Sequence, residues 1–152
     1  MARVALRTDG GARGNPGPAG IGFVIEVDGT AVCGAGRYLG EATNNIAEYE
    51  ALIWGLENVI ALGHEAVTVY ADSELLVKQI NGLYRVKNAG LKPLHMRACG
   101  LLKNFSAYEV KHVRREMNKV ADGFANDAMD ARGTVGEPAC LPGGQLGQDS
   151  LF

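Results

Sequence analysis

Four acidic residues stand in short polar or glycine-bounded contexts: Asp9 in Thr-Asp-Gly-Gly, Glu48 in Thr-Asn-Asn-Ile-Ala-Glu, Asp72 in Ala-Asp-Ser and Asp122 in Asn-Lys-Val-Ala-Asp. Each falls where a strand or helix is expected to begin or end. Four carboxylates gathered in one pocket repel one another unless hard cations lie between them. Magnesium prefers carboxylate oxygens, and the waters it keeps can become nucleophiles. The chemistry in prospect is therefore metal-assisted hydrolysis at a phosphate. Taken singly, Glu48 also reads as a carboxylate completing a helix cap, and Asp122 as an exposed helix residue.

The elements that must position these groups follow from periodicity. Residues 3–9 alternate, and residues 19–27 and 31–39 flank Asp28-Gly29, a two-residue hairpin signal, so three antiparallel strands open the fold. From Asn44 to Leu62, Ile46, Tyr49, Ile53, Leu56 and Ile60 recur at helical steps until Gly63. Residues 66–71 are rich in β-formers and end at Asp72. A helix between strands crosses over right-handedly to a parallel neighbour, which lays 66–71 beside 3–9 and brings Asp9 and Asp72 to one sheet edge, at its switch point. Helices are expected over 73–81 and, after Pro93, over 94–104. A last strand is expected at 108–113, and then a helix capped by Asn118 that carries Asp122 in its early turns. The fold class is α/β, a five-stranded mixed sheet flanked by helices. Residues 1–132 form the catalytic domain, and 133–147, aperiodic and glycine- and proline-rich, are expected to be a flexible linker.

Composition excludes other classes. At 152 residues, 47% hydrophobic and 21% charged, the chain is one globular domain in length, neither disordered nor fibrous. It opens without an apolar signal core and has no run of membrane-spanning length, which predicts a soluble cytoplasmic protein, expected to be a monomer. Cys33, Cys99 and Cys140 lack metal-ligand spacing and read as buried or idle thiols. The net charge of −2 hides an asymmetry: residues 84–119 carry +7 and the remainder −9. That division suits a surface gripping a polyanion beside a metal-holding one, although solvated helix faces read the same way.

Together, Thr8-Asp9-Gly10-Gly11 with Gly14-Asn15-Pro16-Gly17, Thr43-Asn44-Asn45-Ile46-Ala47-Glu48, Asp72-Ser73 and Arg115 to Asp122 resemble the successive motifs of type 1 ribonuclease H, in order and across nearly all of residues 1–130. The resemblance implies a metal-dependent endonuclease that cleaves the RNA strand of RNA/DNA hybrids, leaving 3′-hydroxyl and 5′-phosphate ends. It assigns Asp9, Glu48, Asp72 and Asp122 as catalytic carboxylates holding two Mg2+ ions, with Mn2+ as the substitute. It places Asn15, Asn44 and Asn45 in the minor groove, where 2′-hydroxyls are exposed, and Thr43 on a phosphate of the DNA strand. Gly10 and Gly11 belong to a turn that lets a duplex approach main-chain amides. Activity on double-stranded RNA, or a catalytically silent hybrid-binding module, are the alternatives; a decayed enzyme would be expected to lose a carboxylate, and all four are present.

Arg115 stands where relatives have a flexible-loop histidine or an arginine. It stays protonated, so its implied role is electrostatic rather than that of a base. His112 reads as structural. The region from Gly82 to Pro93 lacks the basic protrusion of some family members, as in the compact prokaryotic branch, and Arg85 and Lys87 are expected to replace part of that handle. Residues 148–152 resemble a peptide that binds the DNA polymerase sliding clamp, with Gln148, Leu151 and Phe152 as the contacts; an untidy chain end reads the same way.

Overall fold

The computed structural model describes residues 2–144. The expected clamp contacts Gln148, Leu151 and Phe152 lie outside the described residues. Strands β1 (Val4–Ala12), β2 (Gly17–Val27) and β3 (Thr30–Ala42) run antiparallel. Helix α1 (Asn44–Ala61) then leads to β4 (Ala66–Ala71), which pairs parallel with β1. After α2 (Glu74–Ile80) and α3 (Lys92–Leu102), β5 (Ala107–His112) adds parallel to β4. A 3₁₀ turn (Arg115–Met117) precedes α4 (Lys119–Ala131), and β6 (Thr134–Glu137) closes the far edge, giving the order β5-β4-β1-β2-β3-β6. No helix among the described residues is long and apolar enough to cross a membrane.

The β2–β3 hairpin turns on Asp28 and Gly29, both at positive φ (52° and 84°), as a tight turn between right-twisted strands requires. The two helical layers meet the sheet differently. Helix α1 is buried on several sides, with Leu52, Trp54, Leu56 and Val59 essentially inaccessible. Trp54 meets Phe23 edge-on, with 5.0 Å between ring centroids. Helix α4 is amphipathic and presents Ala121, Ala125, Ala128 and Met129 to β2 and β3. Its backbone rides on glycines: a Cβ on Gly22 would fall on the Ala121 carbonyl and within 2.7 Å of the Ala125 nitrogen, and one on Gly36 would fall on the Phe124 carbonyl.

The structure corrects three expectations. The sheet has six strands, not five, because part of the stretch expected to be a flexible linker pairs with β3 from Gly34 to Arg37. Beyond β6 the chain straps across α1. The Asn58 Oδ1 accepts the N–H groups of Ala139 (2.6 Å) and Cys140 (3.0 Å), and Trp54 Nε1 donates to the Cys140 carbonyl at 3.0 Å. Gly143 donates to Glu57, whose other oxygen meets Arg97 at 2.7 Å. Secondly, α3 begins at Lys92, with Pro93 inside its first turn, where a missing N–H does no harm. Thirdly, Asn118 occupies the cap position of α4 without making a side-chain cap; it donates instead to the Thr8 carbonyl at 2.8 Å.

The strap gives a stability prediction. Asn58 is fully buried, so Asn58→Ala strands two strap N–H groups and is expected to destabilise the protein by roughly 2–4 kcal/mol in urea unfolding. An unchanged midpoint would show that the strap does not belong to the cooperative unit.

Candidate active site

The parallel register pairs Thr8 with Ala71, so Asp9, still within β1 and paired with Gly22 of β2, stands beside Asp72, the first residue past the end of β4; β1 runs on to Ala12 rather than ending at Asp9 as expected. Glu48 reaches them from the second turn of α1, whose start is fixed by Thr43 Oγ1 accepting the Ile46 N–H at 3.2 Å. Gly10 permits that approach, since a Cβ there would fall on the Ala47 carbonyl. Asp122 arrives from α4, whose start is held to the middle of β1 by Asn118 donating to the Thr8 carbonyl. Carboxylate oxygens of Asp9, Glu48 and Asp72 all lie within 4.8 Å of one another. Asp122 lines the same cleft, of about 420 Å³, as Asp9 and Glu48.

The electrostatics are those of an overfilled anionic pocket. Burial, then the charge of Glu48, then the neighbouring Asp122, push the Asp9 carboxyl up to about 10. Burial and the Asp72 charge raise Glu48 to about 8, against the Gly10 N–H and the Arg115 charge, which favour its ionised form. The Glu48 Oε2 is buried without any hydrogen-bond partner. A hard divalent cation held by these carboxylates would offset their mutual repulsion and give the orphaned oxygen a partner; the donor set fits such an ion.

Around the carboxylates the structure brings together Gly10, Gly11, Asn44, Asn45 and Arg115 as lining of the cleft. Asn44 Oδ1 accepts the Ala12 N–H at 2.8 Å, and Asn15 Oδ1 accepts the Asn44 N–H at 3.1 Å. These bonds commit the carbonyl end of each amide and leave the NH2 end available to a ligand, with Asn15, Asn44 and Asn45 all exposed. Arg85 and Lys87 are exposed on the connection between α2 and α3 and do not line the cleft. Three further polar lining residues, Arg13, Ser73 and Asn126, were given no role in the sequence reading, although Ser73 stands in the Asp72-Ser73 motif. Asn126 was findable, because it lies one helical turn beyond Asp122 on the same face. Ser73 was hidden behind its role as the cap of α2, and Arg13 had no pattern to mark it.

A mixed sheet whose parallel pair sets two carboxylates side by side, with further acids from two helices, defines a carboxylate cluster of the kind that can hold divalent metal ions for phosphoester hydrolysis. The comparisons agree. A family model described as reverse transcriptase-like matches residues 7–128. The chain is 42% identical over 131 residues to a bifunctional protein of Mycobacterium tuberculosis, covering 85% of this chain and 36% of that protein. It superimposes on RNase H1 from Halobacterium salinarum with a TM-score of 0.83 at 41% identity, covering 85% of this chain and 98% of the other. It also superimposes on LC11-RNase H1 in complex with an RNA/DNA hybrid, with a TM-score of 0.81 at 41% identity over 86% of this chain and 99% of that one. The chain belongs to the type 1 ribonuclease H family, and spans about a third of the length of the curated mycobacterial relatives it matches.

Proposed function

We propose that this protein hydrolyses the RNA strand of RNA/DNA hybrids endonucleolytically, leaving 3′-hydroxyl and 5′-phosphate ends, with two divalent ions, magnesium in the first place, held by Asp9, Glu48, Asp72 and Asp122. The observation that carries the reading is the carboxylate cluster itself, with Asp9 buried, Glu48 and Asp72 half-buried beside it and the Glu48 Oε2 unpartnered. When bound, the ions supply Lewis acidity that lowers the pKa of a water and neutralises charge on the phosphate. The protein's own part is positional. The parallel register fixes Asp9 against Asp72, and the Asn118 tether fixes the start of α4 and with it Asp122. Arg115, exposed on the rim, offers a permanent positive charge to the phosphate but no base. The free amide ends of Asn15 and Asn44 are donors suited to 2′-hydroxyls and minor-groove base acceptors, which favours a strand of RNA over one of DNA. The hybrid bound to LC11-RNase H1 supports the same substrate.

The test is cleavage of labelled RNA/DNA, RNA/RNA and DNA/DNA duplexes in magnesium, manganese and calcium. Only the hybrid's RNA strand should be cut efficiently. Calcium should support binding without useful turnover, because its looser, longer coordination misplaces the attacking water. Equal cleavage of the RNA/RNA duplex would move the assignment to a double-stranded-RNA nuclease, and no cleavage in magnesium or manganese would leave a hybrid-binding module.

Arg115→Ala is expected to lower turnover by about tenfold to a hundredfold while leaving the magnesium-dependent rise in Tm intact. Loss of that rise as well would make Arg115 a structural support of the cluster.

A further inference from the structure

We propose that Arg13 is a phosphate-binding residue of the cleft, held by Asp130 in the free protein and released to the duplex backbone on binding; the inference rests on the ribonuclease reading above. The arginine follows the last residue of β1, and its backbone is fixed where its N–H donates to the Pro18 carbonyl at 2.8 Å. Its side chain lines the same cleft as Asp9, Glu48 and Asp122. One guanidinium nitrogen meets Asp130 Oδ1 at 2.8 Å and the other reaches Asn126 Oδ1 at 3.4 Å. Asn126 in turn donates to the Asp122 carbonyl at 3.1 Å. The arm is thus laid along the helix that carries the fourth carboxylate.

Two features separate this contact from a structural strut. Both partners are largely in water, with side-chain exposures of 48% and 67%, so the pair is weak and exchanges readily with a competing anion. The guanidinium fork also matches phosphate better than it matches a single carboxylate oxygen, the contact it makes here. A polyanion entering a cleft walled by three acids needs cations at the wall, and the cleft has Arg13 and Arg115. The strut and the proposal differ in sign. If the pair merely braces the loop against α4, removing either partner weakens the protein alike. If Asp130 competes with phosphate for Arg13, removing Asp130 strengthens substrate binding.

The experiment measures the Kd of a short RNA/DNA hybrid by fluorescence anisotropy in calcium, over a series of salt concentrations, for the wild type, Arg13→Gln, Arg13→Lys and Asp130→Asn. Arg13→Gln is expected to weaken binding about threefold to tenfold and to flatten the log–log salt dependence by about 0.9, one phosphate contact. Arg13→Lys should keep the slope, and Asp130→Asn should tighten binding. An unchanged slope for Arg13→Gln, or weaker binding by Asp130→Asn, overturns the proposal while leaving the ribonuclease reading in place. A wild-type protein that binds no hybrid overturns both.

Discussion

Asp9→Asn is expected to abolish cleavage, by about a thousandfold or more, while making the metal-free protein more stable. The two effects have one cause. Asp9 is almost completely buried against three other carboxylates, and its carboxyl is pushed up to about 10 from an ordinary 3.8. The folded protein therefore binds this proton more tightly than the unfolded chain does. Stability from that proton is fully present below the unfolded value and declines as pH rises toward the folded one, across a window from about 4 to about 10. Asparagine keeps the shape and removes the charge, so the variant should gain about 1 kcal/mol or more near neutral pH, a few degrees in Tm, and lose much of the wild-type decline with pH. Magnesium should raise the Tm of the wild type, increasingly so at higher pH, and have little effect on the variant. The check is a thermal-melt series over pH with and without magnesium, beside a hybrid-cleavage assay. Near-normal turnover by the variant would remove Asp9 from the metal ligands.

Gly22→Ala should show the second large effect. The glycine lies within β2 under α4, and the added methyl would meet the Ala121 carbonyl, the Ala125 nitrogen and the Phe124 Cβ. Two of those are backbone atoms, which cannot rotate away, so the helix itself must lift. A cost of about 1–3 kcal/mol is expected in chemical denaturation. Activity should fall further than stability explains. Asp122 sits next to Ala121 on the displaced helix, and a shift on the order of 1 Å in a catalytic group costs about a hundredfold. The informative measurement is kcat/KM at a temperature where the variant is fully folded. Full activity there would mean that Asp122 tolerates displacement, and its place among the ligands would be lost.

What the sequence made legible depended on whether the cause was local. The Asp28-Gly29 turn, the apolar steps of α1 and the β-rich run ending at Asp72 each carry their own instruction, and the parallel pairing of β1 and β4 followed from the handedness of crossovers. Those elements were enough to bring Asp9 and Asp72 together, and Glu48 was joined to them by the family resemblance. Residues 134–144 carry no comparable instruction. Thr134 to Glu137 form a strand because β3 offers an unpaired edge, and the strap lies flat because Asn58 and Trp54, some eighty positions earlier in the chain, supply its hydrogen-bond partners. Asn118 misled for a similar reason. Asparagine before a helix ordinarily caps it, but here the Thr8 carbonyl lies within reach and takes the amide instead. Arg13 was invisible because its place in the cleft depends on where α4 lands.

The tether from Asn118 to Thr8 links residues 110 positions apart, joining the first strand to the start of α4. Such a contact forms late, because closing so long a loop must await the surrounding sheet and its crossovers. A chain part-way through synthesis carries Asp9, Glu48 and Asp72 before it carries Asp122. The competence of the site is thus tied to the completion of folding: a polypeptide made beside messenger RNA holds its fourth acidic group apart from the other three until the domain closes.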